Sequence, residues 1–436
     1  MPALSIAPYT TEEFEDFLSR RDEPTWLVER RRRAFEQFLQ LDWPSRSHEE
    51  WIRTDIRMFH PERYSLPGAT PPQPATGVPS GQMKLEAVAG RIVSVDSSAV
   101  SATLDSSLRE QGVRFQSLSA GLDEAPDWLV EQLMTRAFDS SYDRFAALHA
   151  ACWSGGALLH VPAGVRVELP FHLLSAITDG NVDFGHLFVR LEADAEATLV
   201  CETESLGGAD GFHCGGVELL VGPRARLRFV TYQNWSRRTW HFAHQKACVD
   251  ADGELEWTVG ALGSRLAKVN QTVELEGRGA RCRVNGTMFT EGRQHLAYHT
   301  LQHHRQSHGT SDFLYKTALQ DESRTVWRGM IRVEPEAQRT DGYQRCDNLM
   351  LSRLARADSI PGLEIEADDV RCTHGSTTGT VDDEMLFYAM SRGFTRREAA
   401  RMIVTGFFQH VFDRVSVPSV RDALARAIAT RVRECD

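Results

Sequence analysis

The sequence lacks the short motifs by which many enzymes of its length are recognised. Among its 436 residues there is no GxxxxGKS or GxxxxGKT phosphate loop, no HExxH zinc helix, no GxSxG nucleophile elbow and no glycine-rich dinucleotide fingerprint after a predicted strand. These absences argue against a nucleotide hydrolase, a serine hydrolase of that kind and a dinucleotide-dependent oxidoreductase. We therefore expect a non-catalytic chain that binds no nucleotide, and any ATP hydrolysis in its process is expected in a partner.

Closely spaced cysteines are also lacking. The eight cysteines have neither the tight pairs of a zinc site nor the density of a disulfide scaffold. They stand at Cys152, Cys201, Cys214, Cys248, Cys282, Cys346, Cys372 and Cys435. This usage predicts reduced thiols and a cytoplasmic protein.

Long apolar runs and an excess of basic residues are missing as well. There is no apolar stretch near the roughly 20 residues of a membrane span, and no basic N-terminal segment followed by an apolar one. The formal net charge is −11, whereas nucleic acids and anionic membranes bind basic stripes. The basic run from Arg30 to Arg33 has helical surroundings, so we interpret it as a solvated helix face. We expect a soluble protein that binds neither membranes nor nucleic acids.

What the chain does contain is a change of periodicity along its length. It is longer than the roughly 250–300 residues at which single cores stop growing, so several regions are expected. Residues 1–65 have helical periodicity, residues 66–82 are rich in proline and glycine, residues 83–380 alternate like strands, and residues 381–436 are helical again. These bounds predict a helical N-terminal region, a linker, a β core and a C-terminal helical domain.

The β region contains an internal repeat. Four segments, each a turn-forming pair followed by alternating apolar and polar residues, are centred on Leu199, Leu227, Leu255 and Cys282. These residues lie 28, 28 and 27 positions apart. Short strands at one fixed period predict a β-solenoid, in which each coil buries its inward side chains against neighbouring coils. A β-sandwich with evenly spaced turns is the alternative.

The predicted C-terminal helices carry a wide apolar stripe. Asp382 to Ser391 is predicted as a short helix, and Thr395 with Glu398 predicts a capping box for a second one. The apolar face of that second helix is predicted to contain Ala399, Met402, Ile403, Gly406, Phe407, His410 and Val411. Phe408 and Phe412 lie beside this face. The stripe either packs against the chain itself or forms a docking surface.

A cluster of histidines lies between residues 295 and 308. If this segment is a strand, His295, His299 and His303 share one face. Three imidazoles on a β-face can bind zinc, iron or copper, so a metal-dependent cupin-like oxygenase is an alternative function. A ladder of polar side chains on the surface is the structural explanation, since no cysteine or carboxylate stands at a defined ligand spacing.

The last third of the chain carries more specific sequence elements. They are AQRTDGYQ, NLMLS, ADSIPGLEI, ADDVRCTHGSTTG, LFYAMSRG and a closing GFF, in one uninterrupted order between residues 337 and 408. In these elements the chain resembles the SufB/SufD family of iron–sulfur cluster assembly proteins. Weaker similarity extends upstream through EPTWLVERR, DRFAALHAACWSGGALLHVPAGV and YQNWS. The segments ADSIPGLEI and ADDVRCTHG are more like SufD than like SufB.

The resemblance implies a fold and a set of partners. The fold would be mainly β, with a right-handed parallel β-helix core between helical N- and C-terminal regions. The chain would be a scaffold subunit of the SUF assembly complex, a SufD or alternatively a SufB, that pairs with SufB or a second copy and docks the ABC-type ATPase SufC. The SufC-binding residues are then expected among Phe387, Tyr388, Arg392, Met402, Phe407, Phe408 and Val411. A cysteine desulfurase system is a further candidate partner, and a role for flavin stays open.

The same resemblance implies a site for a transient iron–sulfur cluster. His374 matches the family histidine at the subunit interface where a nascent cluster forms. Cys346 lies 28 residues earlier, the period of the repeat, so the two side chains are predicted to stack on adjacent strands about 4.8 Å apart. Cys372 shares the face of His374 and is a candidate third ligand. Cys346 stands where SufB-like chains carry a cysteine; alternatively, both cysteines are small buried hydrophobes.

Overall fold

Strands form most of the regular structure in this computed structural model, which describes residues 8–68 and 79–433. Most of the predicted linker, residues 69–78, lies outside the described residues. The described strands are β1 (Gly90–Val95), β2 (Ser98–Leu104), β3 (Arg114–Ser117), β4 (Gly155–Val161), β5 (Phe171–Ile177), β6 (Asn181–Asp183), β7 (Gly185–Leu191), β8 (Glu196–Ser205), β9 (Gly211–Val221), β10 (Arg226–Asn234), β11 (Trp240–Val249), β12 (Glu254–Ala261), β13 (Leu266–Leu275), β14 (Arg281–Thr290), β15 (His295–His304), β16 (Thr310–Leu319), β17 (Arg324–Val333), β18 (Asp341–Met350), β19 (Arg356–Ile365) and β20 (Arg371–Thr380). The described α-helices are α1 (Thr11–Ser19), α2 (Thr25–Gln40), α3 (Ser106–Glu110), α4 (Leu118–Glu124), α5 (Asp127–Gln132), α6 (Arg144–Cys152), α7 (Asp383–Ser391), α8 (Arg396–Phe412) and α9 (Pro418–Arg431).

The strands alternate between two sheets. The first sheet has the order β2-β1-β5-β8-β10-β12-β14-β16-β18-β20, and the second has the order β19-β17-β15-β13-β11-β9-β7-β4-β3. Strand pairing is parallel from β5 onward in the first sheet and from β4 onward in the second. Because successive strands from β7 onward go to opposite sheets, the chain winds as a solenoid of about eight turns. The predicted mainly β solenoid is confirmed, and the β-sandwich alternative is wrong.

One turn of each coil repeats the same backbone geometry. In each coil, one residue of this turn has a left-handed backbone conformation. In successive coils these residues are Asp194, Arg224, Asp252, Gly279, His308 and Arg339. Each of these residues donates its backbone N–H to a carbonyl in the corresponding turn of the next coil, as Asp194 does to Pro223 over 2.9 Å. A left-handed conformation costs a residue other than glycine about 1 kcal/mol, which the inter-coil hydrogen bond offsets. The turn-forming pairs of the sequence repeat therefore mark a stacked ladder of turns.

The strand register agrees with the repeat in part. Leu227 pairs with Leu255, and Leu255 pairs with Cys282, as the repeat predicts. Leu199, however, pairs with Phe229, so the predicted alignment with Leu227 is wrong by two residues. The chain between β8 and β9 contains a short 3-10 turn at residues 206–208, which accommodates the longer coil. An even-numbered insertion keeps inward residues inward, so the pattern of apolar residues does not reveal it.

The N-terminal helices cover the outer face of the second sheet. One hydrophobic cluster joins α1, α2 and α6 with aromatic residues of β9 and β11. In it, Phe145 of α6 stacks on Phe242 of β11 with ring centroids 3.8 Å apart. Helices from residues 1–65 and from residues 106–152 thus share one core, while the predicted division of the chain at residues 65, 82 and 380 stays a prediction.

The basic run in α2 is not a fully solvated face. Arg31 is fully buried, where its guanidinium pairs with Glu23 through bonds of 2.6 and 2.8 Å and donates to the carbonyls of Ala151 and Trp153. Arg32, one residue later, is about half exposed and pairs with a surface carboxylate. The interpretation as a solvated face is therefore wrong for Arg31, because that guanidinium joins α2 to the end of α6.

The C-terminal helices lie on the outer face of the first sheet, and α8 buries a different face from the one predicted. Its capping box between Thr395 and Glu398 is confirmed. The buried side chains of α8 are Ala399, Ala400, Val404, Phe408, Val411 and Phe412. Met402 is 52% exposed, and His410 is also exposed. The buried face takes Ala399 and Val411 from the predicted stripe and leaves Met402 and His410 outside, because α8 has apolar residues on two adjacent faces and its packing against the sheet, at Phe289 and other residues, selects one of them.

We expect Arg31→Met to destabilise the chain by about 3 kcal/mol, because it leaves Glu23 and two buried carbonyls without their donor. The matched control is Arg32→Met on the same helix, whose exposed ion pair should contribute less than about 1 kcal/mol. Urea titrations followed by tryptophan fluorescence measure both free energies of unfolding. Equal effects of the two substitutions would contradict the assigned role of Arg31.

Candidate functional site

The solenoid ends in two strands with free edges. Within the described part of the chain, β20 pairs only with β18, and β19 pairs only with β17. Both strands are ten residues long, and nearly every residue of β20 is exposed. Each strand therefore presents a row of backbone N–H and C=O groups that no strand satisfies.

The predicted site residues meet at this end, though not in the predicted register. His374 of β20 pairs with Gln344 of β18, and Cys346 pairs with Ser376. His374 is thus offset by two residues from Cys346, and direct stacking of the two is wrong. The coil between β18 and β20 is 30 residues long rather than 28. Because the register differs from the predicted one by an even number of residues, the side chains of His374 and Cys346 still lie on the inward face of the sheet, as that of Cys372 does.

The two cysteines have different surroundings. Cys346 is fully buried and contacts the side-chain oxygen of Asn348 at 3.7 Å. Burial raises the pKa of the Cys346 thiol to about 12, although hydrogen bonds with Ser359 and Asn348 oppose the shift. Burial also raises the pKa of Cys372, which is only half-buried. Both thiols are protonated at neutral pH unless a metal ion displaces the proton.

Cys372 occupies a space left by a glycine. Its Sγ lies over Gly342 of β18, where an added Cβ would approach the sulfur to 3.2 Å. The sulfur packs at the margin of a small apolar cluster that contains Ile331. His374, two residues further, is exposed. The imidazole is therefore accessible from outside the chain, and the neighbouring thiol is partly so.

Two inward polar residues of β18 flank the buried thiol, and sequence reasoning missed both. Gln344 is fully buried and donates to the carbonyls of Gly329 and Gly362 at 3.4 and 2.9 Å. Asn348 donates to the Ser359 hydroxyl at 2.9 Å and to the Thr377 carbonyl at 3.2 Å. They bind the last coil together across both sheets. Their signal in the sequence is polar residues at inward positions, two before and two after Cys346.

This arrangement offers nitrogen and sulfur ligands at an open strand edge. An exposed imidazole and a half-buried thiol share one face of β20, and a buried thiol lies on the adjacent strand. Thiolate and imidazole are the donors that iron and iron–sulfur clusters accept. The face is incomplete as a closed site, because β20 has no strand on its outer side among the described residues.

The three histidines of β15 do not come together. They are four residues apart along one strand, so neighbouring members lie about 13 Å from each other. His303 pairs with Glu334 at 2.7 Å, while burial lowers the pKa of His299 to about 2 and that of His295 to about 4. Among the described residues, the side chains close enough to share one ion are instead Cys248, Glu274 and Glu276.

The predicted partner-binding residues divide into exposed and buried ones. Phe387 and Tyr388 of α7 are 74% and 61% exposed, and Arg392 donates to the Tyr388 hydroxyl at 3.2 Å. Met402 is exposed, and Phe407 is half-buried beneath the ammonium group of a lysine. Phe408 and Val411 are fully buried against the first sheet.

Among the described residues, no helix is both long enough and apolar enough to cross a membrane.

Comparison with known proteins agrees with this architecture. The family model described as "SUF system FeS cluster assembly, SufBD core domain" matches residues 173–407, and that of the "SufBD protein N-terminal region" matches residues 12–173. An iron–sulfur cluster assembly SufBD family protein of Mycobacterium leprae is 33% identical over 295 residues, which cover 66% of this chain and 74% of that protein. A SufBD family protein of Staphylococcus saprophyticus is 25% identical, and the match covers 89% of this chain and 86% of that protein.

A further similar protein is the iron–sulfur cluster assembly protein SufB of Bacillus subtilis. It is 25% identical over 413 residues, which cover 92% of this chain and 88% of that protein. The matched core domain takes in β20 with Cys372 and His374, and it extends to Phe407 in α8. By its core domain, its N-terminal region and these relatives, the chain belongs to the SufBD family of iron–sulfur cluster assembly proteins.

Proposed function

We propose that the chain is a SufD-like scaffold subunit of the SUF complex, which forms a cluster assembly interface with SufB or with a second copy of itself. The observation that carries this proposal is the pair of free edges at β19 and β20, with His374 and Cys372 on one of them. In this function the chain supplies ligands and a surface, whereas bond-making chemistry belongs to its partners. Iron and sulfide are then cargo that the interface holds for a time.

Strand addition is the docking mode that the edges support. A free edge is a template for a strand of another chain, and isolated proteins usually block it with charge or proline. From Cys372 to Thr380, β20 has no proline and no lysine, arginine or carboxylate. A second solenoid end placed against β20 would continue the first sheet and would enclose the exposed imidazole of His374.

The proposed ligands differ in how much must change before iron binds. His374 is exposed and needs only a neutral ring nitrogen. Cys372 needs to lose a proton, and Cys346 needs in addition a movement that brings its buried sulfur into reach. We therefore propose His374 as the first ligand, with Cys372 next and Cys346 drawn in when the last coil shifts.

The exposed side of the C-terminal helices is proposed to bind the ATPase SufC. α7 buries only Leu386, so its large side chains face outward. The proposed docking surface consists of Phe387, Tyr388, Arg392, Met402 and Phe407. The other two predicted residues, Phe408 and Val411, would act from below by anchoring α8 to the first sheet. ATP-driven dimerisation of SufC would then pull on the sheet that ends in β20.

A SufB-type role is the second candidate. It is favoured by Cys346, a cysteine in the inward row of β18, and by the similarity to the Bacillus subtilis SufB along 92% of this chain. Anaerobic co-expression with SufB and SufC distinguishes the two roles. A SufD-like chain would form a complex that contains SufB, whereas a SufB-like chain would take the place of SufB in the complex. The stoichiometry of the purified complex gives the answer.

We expect His374→Ala to abolish cluster formation on the reconstituted anaerobic complex without changing its assembly, because the substitution removes an exposed ligand and no packing contact. Cluster formation is followed by visible absorption, and assembly by size-exclusion chromatography with light scattering. The matched control is Ser376→Ala, two residues along the same face. Normal cluster formation by the His374 variant would refute the site.

We expect Phe387→Ala to weaken SufC binding by about 30-fold or more, the loss typical of a central aromatic contact. The thermal midpoint should stay unchanged, because the ring is 74% exposed. Leu39→Ala on α2 is the control, since Leu39 is also exposed but lies on the N-terminal helices. Immobilised SufC and a titration of each variant measure the affinities. Unchanged binding of the Phe387 variant would remove α7 from the docking surface.

A further inference from the structure

Three metal-binding side chains meet on the outer face of the second sheet, away from the end of the solenoid. Cys248 of β11 and Glu274 of β13 are direct partners in adjacent parallel strands, and Glu276 follows β13. One ligand atom of each lies within 4.8 Å of the others. β11 is four strands from β19 in this sheet, so the group is separate from the His374 site.

The strand pattern fixes this meeting. Ala247 and Val249 on either side of Cys248 point into the core of the solenoid, so the thiol points outward. Val273 and Leu275 likewise point inward, which turns the carboxylate of Glu274 outward. Direct pairing places the two side chains on neighbouring strands about 4.8 Å apart. The thiol and this carboxylate are therefore held together by backbone register.

A solvent-connected groove gives access to the group. The groove is about 380 Å³ in volume, and its lining includes Cys248, Glu276, Arg136 and Gln132. The side-chain oxygen of Gln132 is buried, and it has no hydrogen-bond partner within the described ranges. An amide oxygen is a neutral metal ligand, and the Gln132 side chain lines the same groove as the thiol. A bound cation in the groove would give this buried oxygen a partner.

Basic side chains surround the two carboxylates. Lys246 contacts Glu274 at 2.9 Å and Arg305 contacts it at 3.3 Å. Burial opposes ionisation, but a hydrogen bond with His303 and these charges lower the pKa of Glu274 to about 2. Arg136 pairs with Glu276, and its side chain is 49% exposed. Arg136 can therefore swing into solvent and leave Glu276 and the thiol to another cation.

We propose that Cys248, Glu274 and Glu276 form a binding site for one divalent transition-metal ion, with the Gln132 oxygen as a fourth, neutral ligand. One thiolate with oxygen donors suits ions of borderline character such as Fe²⁺, Co²⁺ and Zn²⁺. On binding, the S–H bond of Cys248 breaks, a sulfur–metal bond forms and the proton goes to solvent. No electron is transferred. The site stands on its own geometry and does not depend on the proposed role of β20.

Co²⁺ is the probe for this site, because its bond to a thiolate gives a charge-transfer band in the near ultraviolet. Anaerobic titration of the purified full chain should give one equivalent with this band. Cys248→Ser should abolish the band, and Glu276→Gln should weaken binding at least tenfold. Cys201→Ser, a half-buried thiol outside both proposed sites, is the control and should leave the band in place. Persistence of the band in the Cys248 variant would overturn the proposal.

Arg136→Met tests the competition between the metal ion and the guanidinium. Removing the cation that pairs with Glu276 should raise the affinity for Co²⁺ about tenfold, since a neighbouring positive charge disfavours a second one. Arg190→Met is the matched control, because Arg190 lines the same groove without belonging to the ligand group. Unchanged or lower affinity in the Arg136 variant would mean that Co²⁺ binds elsewhere, which overturns the site.

Discussion

Parallel pairing between coils is the interaction on which the rest of this structure depends. The strands find their backbone hydrogen-bond partners in neighbouring coils, and the turns are joined in the same way, as where the backbone N–H of Asp194 donates to the carbonyl of Pro223. The apolar side chains follow the same rule, because each inward residue is covered by residues one coil away. The backbone hydrogen bonds of the solenoid are therefore satisfied mainly between stacked coils. At the last coil, where His374 lies, the outer edges of β19 and β20 have no partner strand among the described residues.

The two sheets are covered by different sets of helices, and the two sets have different roles in the chain. The N-terminal helices bury aromatic residues such as Phe145 against the second sheet, and Arg31 joins them with ion-paired hydrogen bonds. The C-terminal helices cover the first sheet through Phe408 and leave α7 exposed. The first sheet thus connects an exposed helical surface directly to β20. In the proposed function, a force applied to those helices would act on the strand that carries the proposed ligands, without crossing the solenoid core.

The solenoid could be predicted from the sequence because segments of alternating residues recur at a nearly fixed period. The two errors of strand register share one physical cause. An inserted pair of residues leaves every side chain on its original face, so neither the true partner of Leu199 nor that of Cys346 could be read from alternation. The buried face of α8 depended on which of two apolar faces met the sheet. Arg31 resembled its solvated neighbours until the carbonyls of another helix surrounded it. Cys248 and Glu274 come from different coils and form no motif within one segment.

The polar interior of the last coil has a consequence for the motions of the free subunit. The inward residues of β18 include Gln344 and Asn348, and the main apolar core ends at Cys346. A terminal coil stacks on one neighbour instead of two, and here hydrogen bonds replace most of the apolar packing. The local free energy of opening thus falls along the solenoid axis toward β19 and β20. We therefore expect the last coil to exchange its amide hydrogens before the body of the solenoid does, and ordering of that coil would be coupled to whatever completes its edges.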